Sequence, residues 1–245
     1  MRAASLANYF EAGLAWLYPR FCQLCEAERA NPDEGFVCAK CWTGVRFIRP
    51  PFCERCGLPY EGDITTPFEC SNCRDVKLYF STARSAVAAK GVTLEVIHRF
   101  KYQRALWFEP FLVDLLCRAA LPVLRETEWD FIVPVPLHAT KQREREFNQA
   151  ERIARGLARA LNLPVRTDLV KRAVPTRTQT LLTKSQRAEN VRRAFVPASR
   201  EKLSGARIIL VDDVLTTGAT TNACARVLRR LGAAEVCVWT VARGL

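Results

Sequence analysis

The pattern of apolar positions predicts strands and helices in alternation from residue 81 onward. Short apolar runs predict four strands, in the segments ARSAVAA from Ala83, WDFIVPVPLH from Trp129, RIILV from Arg207 and EVCVWTVA from Glu235. Helical spacing predicts four helices, in the segments GVTLEVIHRFKYQ from Gly91, FEPFLVDLLCRAALPVL from Phe108, NQAERIARGLARALN from Asn148 and ATTNACARVLRRLGA from Ala219. Since strands that alternate with helices form parallel sheets, we expect an α/β domain with a largely parallel sheet flanked by helices.

Single positions refine these helices. The buried face of the first is predicted to consist of Leu94, Val96, Ile97 and Phe100. Pro110 fits the first turn of the second helix, where its missing N–H costs nothing. Gly232 is predicted to end the last helix as a C-cap.

The N-terminal third of the chain follows a cysteine pattern instead. Eight of the 11 cysteines form four CxxC pairs, which are Cys22/Cys25, Cys38/Cys41, Cys53/Cys56 and Cys70/Cys73. Two such pairs complete a tetrahedral four-sulfur zinc site, so we expect two structural zinc ions. Sequential pairing is the simplest arrangement, and an interleaved one stays open. We expect a cytoplasmic protein without a signal peptide, in which thiols stay reduced, so zinc is favoured over disulfides.

We predict a boundary near residue 78. Residues 1–78 would form an N-terminal helix, in the segment SLANYFEAGLAWLYP, and a double zinc ribbon that folds only around its metals; residues 79–245 would form the α/β domain. Aromatic and cationic residues are interleaved in the ribbon and either build its small core, the interpretation we favour, or stack on nucleic-acid bases. They are Phe21, Trp42, Arg46, Phe47, Arg49, Phe52 and Arg55.

Charge narrows the classes of partner. The chain carries 37 Lys and Arg against 25 Asp and Glu, a formal net charge of +12. A basic surface favours a polyanion such as nucleic acid or a phosphorylated small molecule. No stretch approaches the roughly 20 apolar residues of a membrane span, so no membrane insertion is expected.

The segment VDDVLTTGATT carries the most specific chemistry. Asp212 and Asp213 follow an apolar strand, at the end where open α/β sheets bind ligands, and they suit the 2'- and 3'-hydroxyls of a ribose with the help of a divalent cation. The uncharged loop behind them leads into a helix, so its N–H and hydroxyl groups suit a 5'-phosphate. This loop consists of Thr216, Thr217, Gly218, Ala219 and Thr220. Together these features predict a ribose 5-phosphate ligand.

The same segment closely resembles the phosphoribosyl pyrophosphate (PRPP) motif of type I phosphoribosyltransferases. Nearly the whole chain is similar to the ComF family of competence and DNA-uptake proteins, in which zinc ribbons precede a phosphoribosyltransferase domain. Four further segments of this chain resemble blocks of the family: FKYQ from Phe100, VPVPLH from Val133, REFNQAERIA from Arg145 and RTQTLLTKSQRAENVRRAF from Arg177. Glu146 stands where the family leads us to expect glycine. The resemblance implies PRPP with Mg²⁺, a role in natural transformation, and single-stranded DNA and the DNA-uptake machinery as partners.

Roles for further cations also follow from the resemblance. Lys141, Arg143 and Arg145 occupy the position of the pyrophosphate loop, and Lys184 and Arg187 that of the mobile catalytic loop. Thr216 stands where purine-salvage enzymes carry an acid, and a hydroxyl cannot take a proton from a nucleobase at neutral pH, so purine salvage is not the natural inference.

Two hypotheses remain: a PRPP-binding protein that handles single-stranded DNA, and an active magnesium-dependent phosphoribosyltransferase of nucleotide metabolism with an unidentified acceptor. His138 is assigned no role.

Overall fold

A computed structural model describes residues 20–60, 62, 68–74, 76–174 and 193–245. The predicted N-terminal helix lies outside these residues. The strands are β1 (Ala83–Ala88), β2 (Phe131–Pro134), β3 (Val170–Arg172), β4 (Phe195–Pro197), β5 (Arg207–Leu215) and β6 (Glu235–Arg243). The helices are α1 (Ala39–Trp42), α2 (Ser71–Arg74), α3 (Gly91–Tyr102), α4 (Glu109–Leu124), α5 (Ala139–Arg145), α6 (Gln149–Leu161) and α7 (Ala219–Arg230), with 3-10 turns at Pro32–Glu34 and Leu106–Phe108.

Four strands form a parallel sheet in the order β1-β6-β5-β2. Their apolar runs are buried on both faces, as parallel strands covered by helices require. A parallel bridge between Ile132 and Val165 continues the sheet beyond β2. The parallel sheet with flanking helices is thus confirmed.

Helices cover both faces of this sheet. On one face α4 packs on β1 and β6 while α6 packs on β2 and β5, and on the other face α7 packs on β5 and β6. A β-carbon on Gly156 of α6 would lie 2.4 Å from the Val113 side chain of α4, so only glycine allows these two helices to approach so closely. No described helix has the length and apolarity needed to cross a bilayer.

The helix details differ from the prediction at one position. In α3 the side chain of Leu94 is 52% exposed, whereas Thr93 is buried beside Val96, Ile97 and Phe100. The packed face of α3 is therefore rotated by one residue at its N-terminal end. Pro110 lies in the first turn of α4, and Gly232 follows α7 with a left-handed φ of 104°, as predicted.

Two strands and one longer helix of the α/β domain were not predicted. Strands β3 and β4 pair antiparallel on the α7 side of the sheet, and each has three residues, too few to show a period. The segment after VPVPLH, expected as a loop, forms the seven-residue helix α5.

The cysteine-rich segment packs directly against β1 and α4. Residues 46–48 pair antiparallel with β1, since Ile48 N–H donates to Ala86 O at 2.9 Å and Ala88 N–H to Arg46 O at 2.8 Å. Trp42 meets Phe111 of α4 edge to face at 5.1 Å. Trp42 and Phe47 of the ribbon therefore pack against the core, as the favoured interpretation expects, whereas Phe21 is 41% exposed.

Candidate functional site

Two groups of four cysteine sulfurs converge in the N-terminal segment. The first tetrad is Cys22, Cys25, Cys38 and Cys41, and the second tetrad is Cys53, Cys56, Cys70 and Cys73. Sulfurs lie 3.7 Å apart in two pairs of the first tetrad and 3.9 and 3.6 Å apart in two pairs of the second. A tetrahedral zinc site with bonds of about 2.3 Å separates its sulfurs by about 3.8 Å, so both tetrads fit a structural zinc ion. All 11 cysteines are free thiols, and the tetrads follow the sequential pairing.

The tight turns of the CxxC pairs direct backbone N–H groups at the sulfurs. Cys38 N–H lies 3.4 Å from the Cys22 sulfur, and Cys70 N–H lies 3.3 Å from the Cys53 sulfur in the matching position. Cys38 also caps α1, where its sulfur accepts from Cys41 N–H. Such donors stabilise thiolates, the form that binds zinc.

The tetrads differ in exposure. All four cysteines of the second are buried, whereas Cys25 of the first is exposed and Cys41 is half-buried. Backbone N–H groups of Ala27 and Glu28 lower the pKa of Cys25 to about 6. The first tetrad therefore offers a thiolate that water and small molecules can reach.

The acid pair lies inside β5, not after it, because the strand continues to Leu215. Its pairing with β2 ends earlier, where Val135 N–H donates to Val211 O, so β5 extends beyond β2 at the carboxyl edge of the sheet. Successive residues of a strand point to opposite faces, so the two carboxylates flank this free edge. Asp213 faces α3, and Asp212, which is half-buried, faces the side of α7 and β3.

Asp213 is buried and paired with a cation that the sequence analysis did not assign. Its carboxylate lies 2.8 Å from the Lys101 Nζ at the end of α3. Lys101 belongs to the FKYQ block, but 112 positions separate the partners, so no local spacing predicts their contact.

Asp212 titrates near neutrality. Burial and the neighbouring Asp213 carboxylate raise its pKa to about 7, although Lys101, the Asp213 N–H and Arg172 of β3 act in the opposite direction. Arg172 is a second cation that was not assigned, since β3 was not predicted. The acid pair is therefore already balanced by the protein's own cations.

The predicted phosphate loop joins β5 to α7. Thr216 and Thr217 are exposed, and Gly218 adopts a left-handed φ of 77° at the N-cap of α7. Gly218 has no side chain to cap the helix, but Thr217 Oγ1 accepts from Ala219 N–H at 3.4 Å, so one N–H of the first turn is bonded within the loop. The positive end of α7 lies beside these threonine hydroxyls. Thr221 Oγ1 donates to Gly218 O at 3.0 Å and fixes the turn from behind. Ala219 and Thr220, predicted in the loop, are the first two residues of α7, and both are half-buried.

The predicted pyrophosphate cations lie on α5. Lys141 pairs with Glu144 at 2.9 Å, Arg143 is exposed, and the Arg145 guanidinium stacks 5.0 Å over the Tyr102 ring. Tyr102 directly follows Lys101, so this stack connects α5 to the cation that holds Asp213. Lys184 and Arg187 lie outside the described residues.

Two residues around α5 explain its ends. His138 is the N-cap, and its Nδ1 accepts from Thr140 N–H at 3.2 Å, a structural role. Glu146 ends the helix with φ of 67°, a conformation that glycine adopts most easily. The Glu146 side chain, which replaces the glycine expected from the family, forms an ion pair with Arg104 at 2.9 Å.

Two surface hollows lie away from the acid pair. One is formed by the C-terminal end of α6 and residues 162–165, and the other by residues 124–130 with Leu161, Leu163 and Arg207. Neither of these two hollows includes a predicted site residue.

Comparison with known proteins agrees with this two-part construction. A family model described as a double zinc ribbon domain matches residues 13–76, and one described as a phosphoribosyl transferase domain matches residues 148–245. The chain is 33% identical to Competence protein F of Haemophilus influenzae over 84% of this chain and 90% of that protein. It is 31% identical to the DNA utilization protein YhgH of Salmonella typhi, with 93% and 98% covered, and 28% identical to Competence protein ComFC of Bacillus subtilis, with 95% and 98% covered.

Proposed function

We propose, from the premise that this chain belongs to the family of Competence protein F and ComFC, that it binds PRPP with Mg²⁺ and acts in DNA uptake. Its relatives and its phosphoribosyltransferase domain make it a competence-related, phosphoribosyltransferase-like protein. The observation that carries the proposal is that β5 holds the acid pair and leads, through residues 216–218, directly to the positive N-terminal end of α7.

In this proposal the ribose lies over the free edge of β5. Asp212 and Asp213 flank that edge and accept hydrogen bonds from the two ribose hydroxyls, with Mg²⁺ nearby. The 5'-phosphate lies on the loop from Thr216 to Thr220, where N–H groups and hydroxyls converge. The pyrophosphate extends toward α5, where Arg143, Arg145 and Lys141 supply positive charge, and Lys184 and Arg187 complete the neutralisation.

Lys101 and Arg172 add a function that the motif alone does not contain. They balance the acid pair in the free protein, as the 2.8 Å contact of Lys101 with Asp213 indicates. When the ribose hydroxyls donate hydrogen bonds to the carboxylates, they compete with Lys101, whose ammonium group can then turn toward the pyrophosphate of the bound PRPP. We therefore add Lys101 to the proposed site.

Calorimetry tests PRPP binding without knowledge of an acceptor. The wild-type protein with Mg²⁺ is titrated with PRPP, ribose 5-phosphate and pyrophosphate in turn. We expect PRPP to bind most tightly, because only PRPP engages the loop, the acid pair and the α5 cations together. Equal affinity for pyrophosphate and PRPP would contradict a ribose site at the acid pair.

Single-stranded DNA is the proposed macromolecular partner. The net charge of +12 and the stacked cation–aromatic groups on the surface, such as Arg145 over Tyr102, support it. Binding of a labelled single-stranded oligonucleotide should weaken steeply with salt, since phosphate contacts release counterions. Absent or salt-insensitive binding would contradict the DNA partner.

The alternative is an active magnesium-dependent phosphoribosyltransferase of nucleotide metabolism with an unidentified acceptor. The favouring observation is Asp212, whose pKa of about 7 suits proton transfer near neutral pH. Release of pyrophosphate from PRPP across a panel of bases and amines tests it. Acceptor-dependent release supports the enzyme, and its absence throughout the panel leaves the binding protein.

We also propose that the domain boundary lies near residue 78, with the ribbon in residues 1–78 and the phosphoribosyltransferase-like domain in residues 79–245. In support, the double-ribbon match ends at residue 76 and β1 of the sheet begins at Ala83. We propose a cytoplasmic location.

A further inference from the structure

A buried arginine at the end of the last strand contacts the second tetrad. Arg243 is only 4% exposed, and its Nη1 donates to the Cys56 carbonyl oxygen at 3.0 Å. Its Nη2 lies 3.7 Å from the Cys56 sulfur. The partners are 187 residues apart in sequence, so a strand of the α/β sheet supplies this contact to the ribbon.

The charge of the tetrad gives this contact its significance. Four thiolates around Zn²⁺ carry a formal charge of −2, and all four cysteines of the second tetrad are buried. A buried charge is costly unless an opposite charge and hydrogen bonds accompany it. The Arg243 guanidinium is always protonated, and it supplies both to Cys56.

The first tetrad meets the same requirement in another way. Its Cys25 is exposed, so water can solvate part of the thiolate charge, and backbone N–H groups donate to Cys22 and Cys38. Arg84 also lies near the second tetrad, but it is paired with the Glu54 carboxylate at 3.3 Å. Arg243, unlike Arg84, directs its contacts at a zinc ligand itself.

We propose that Arg243 is a positioning residue for the second zinc ion. It holds Cys56 in its ligand geometry, offsets the charge of the buried thiolates and makes the second tetrad retain zinc longer than the first. This inference rests on zinc in the tetrads and is independent of PRPP binding.

Zinc release measures the proposal directly. The zinc-loaded full chain is mixed with an excess of chelator that forms a coloured zinc complex, and release is followed by absorbance. We expect two phases, and the substitution Cys25→Ser should remove the faster one, which assigns it to the first tetrad. In Arg243→Gln the slower phase should accelerate by about 10-fold or more, the range known for residues that support metal ligands.

The charge series makes the result specific. Arg243→Lys keeps the charge without the two-pronged geometry, so its slow phase should lie between those of the wild type and Arg243→Gln. Arg207→Gln is the matched control, because Arg207 is an arginine of the same sheet whose partner is Glu235 and not a cysteine. The fast phase, which is zinc release from the first tetrad, should stay unchanged in these variants unless the substitution loosens the whole protein. Circular dichroism checks that each variant is folded.

Unchanged slow release in the Gln and Lys variants would overturn the proposal, and so would a Gln variant that retains zinc better than the Lys variant. If Arg243→Gln does not fold, the comparison of Arg243→Lys with the wild type decides alone.

Discussion

The cysteine tetrads and the acid pair are both clusters of anionic ligand groups, but the protein balances them differently. The tetrads bring four sulfurs to the spacing of a zinc ion, and Arg243 adds a single cation to the second of them. Asp212 and Asp213 have Lys101 and Arg172 around them already. The tetrads therefore fit permanent structural zinc ions, whereas the proposed function requires a ligand to displace protein cations from the acid pair.

Chelation should produce the largest effect and separate the two regions. Structural zinc contributes about 10 kcal/mol or more in isolated zinc-binding peptides, so its removal should unfold residues 20–74. The α/β sheet has one buried core that includes no residue of 20–74, so the sheet should persist although its other core also contains Val37. Hydrogen exchange read by mass spectrometry checks this, with restored protection on adding zinc as the control. Equal loss of protection in β5 and in the ribbon would refute the division.

Replacing both acids should abolish ribose recognition while the fold remains. We expect Asp212→Asn combined with Asp213→Asn to weaken PRPP binding at least ~30-fold, about 2 kcal/mol, since charge-assisted hydrogen bonds are lost. Calorimetry gives the affinity, and the zinc content of the same protein should stay at the wild-type value. Wild-type PRPP affinity in this variant would exclude the acid pair from the site.

The fold, by comparison, followed from sequence wherever a pattern was long enough. Apolar runs such as Ile208 to Val211 marked the central strands, and the CxxC spacing marked both tetrads. The periodicity of apolar positions could not reveal β3 and β4, because each strand has only three residues. It could not reveal α5 either, because this helix is polar and exposed and has no apolar stripe.

The site was predictable only in its local part. The acids and the loop are contiguous in sequence, so their chemistry could be inferred together. Lys101 opposite Asp213 and Arg243 opposite Cys56 are contacts created by the tertiary fold, and a single sequence gives no signal of which distant cation meets which anion.

Gly218→Ala tests how much the loop contributes to PRPP binding. A left-handed backbone costs a non-glycine residue about 1–2 kcal/mol, and the turn that holds the phosphate would shift. Gly205→Ala is the matched control, because Gly205 has a φ of 86° with open space around it and lies in another turn. Thermal unfolding should show a similar loss in both variants, but only Gly218→Ala should weaken PRPP binding. Equal PRPP affinities would remove the loop from the proposal.

The smallest expected effect is the pH dependence of PRPP affinity and of stability. Asp212 has a pKa raised to about 7, so its protonated form prevails below that pH and PRPP affinity should rise as the pH increases from 6 to 8. The free protein should meanwhile lose stability as the pH rises toward 7, because the folded state holds a proton that the unfolded chain releases.

Lys101→Met tests the origin of this profile. The ammonium group lowers the pKa of Asp212, so its removal should shift the midpoint upward by about half a pH unit, ~0.7 kcal/mol. The titration of the PRPP phosphates is the same for both proteins and cancels in the comparison. A downward shift would contradict the electrostatic balance described for the acid pair.

The pairing of residues 46–48 with β1 also protects the molecule against self-association. Without that segment the outer strand of an apolar sheet would present free N–H and C=O groups, a template on which other chains aggregate. Metal starvation would therefore turn a folded α/β domain into a precipitating one, even though its own strands remain intact.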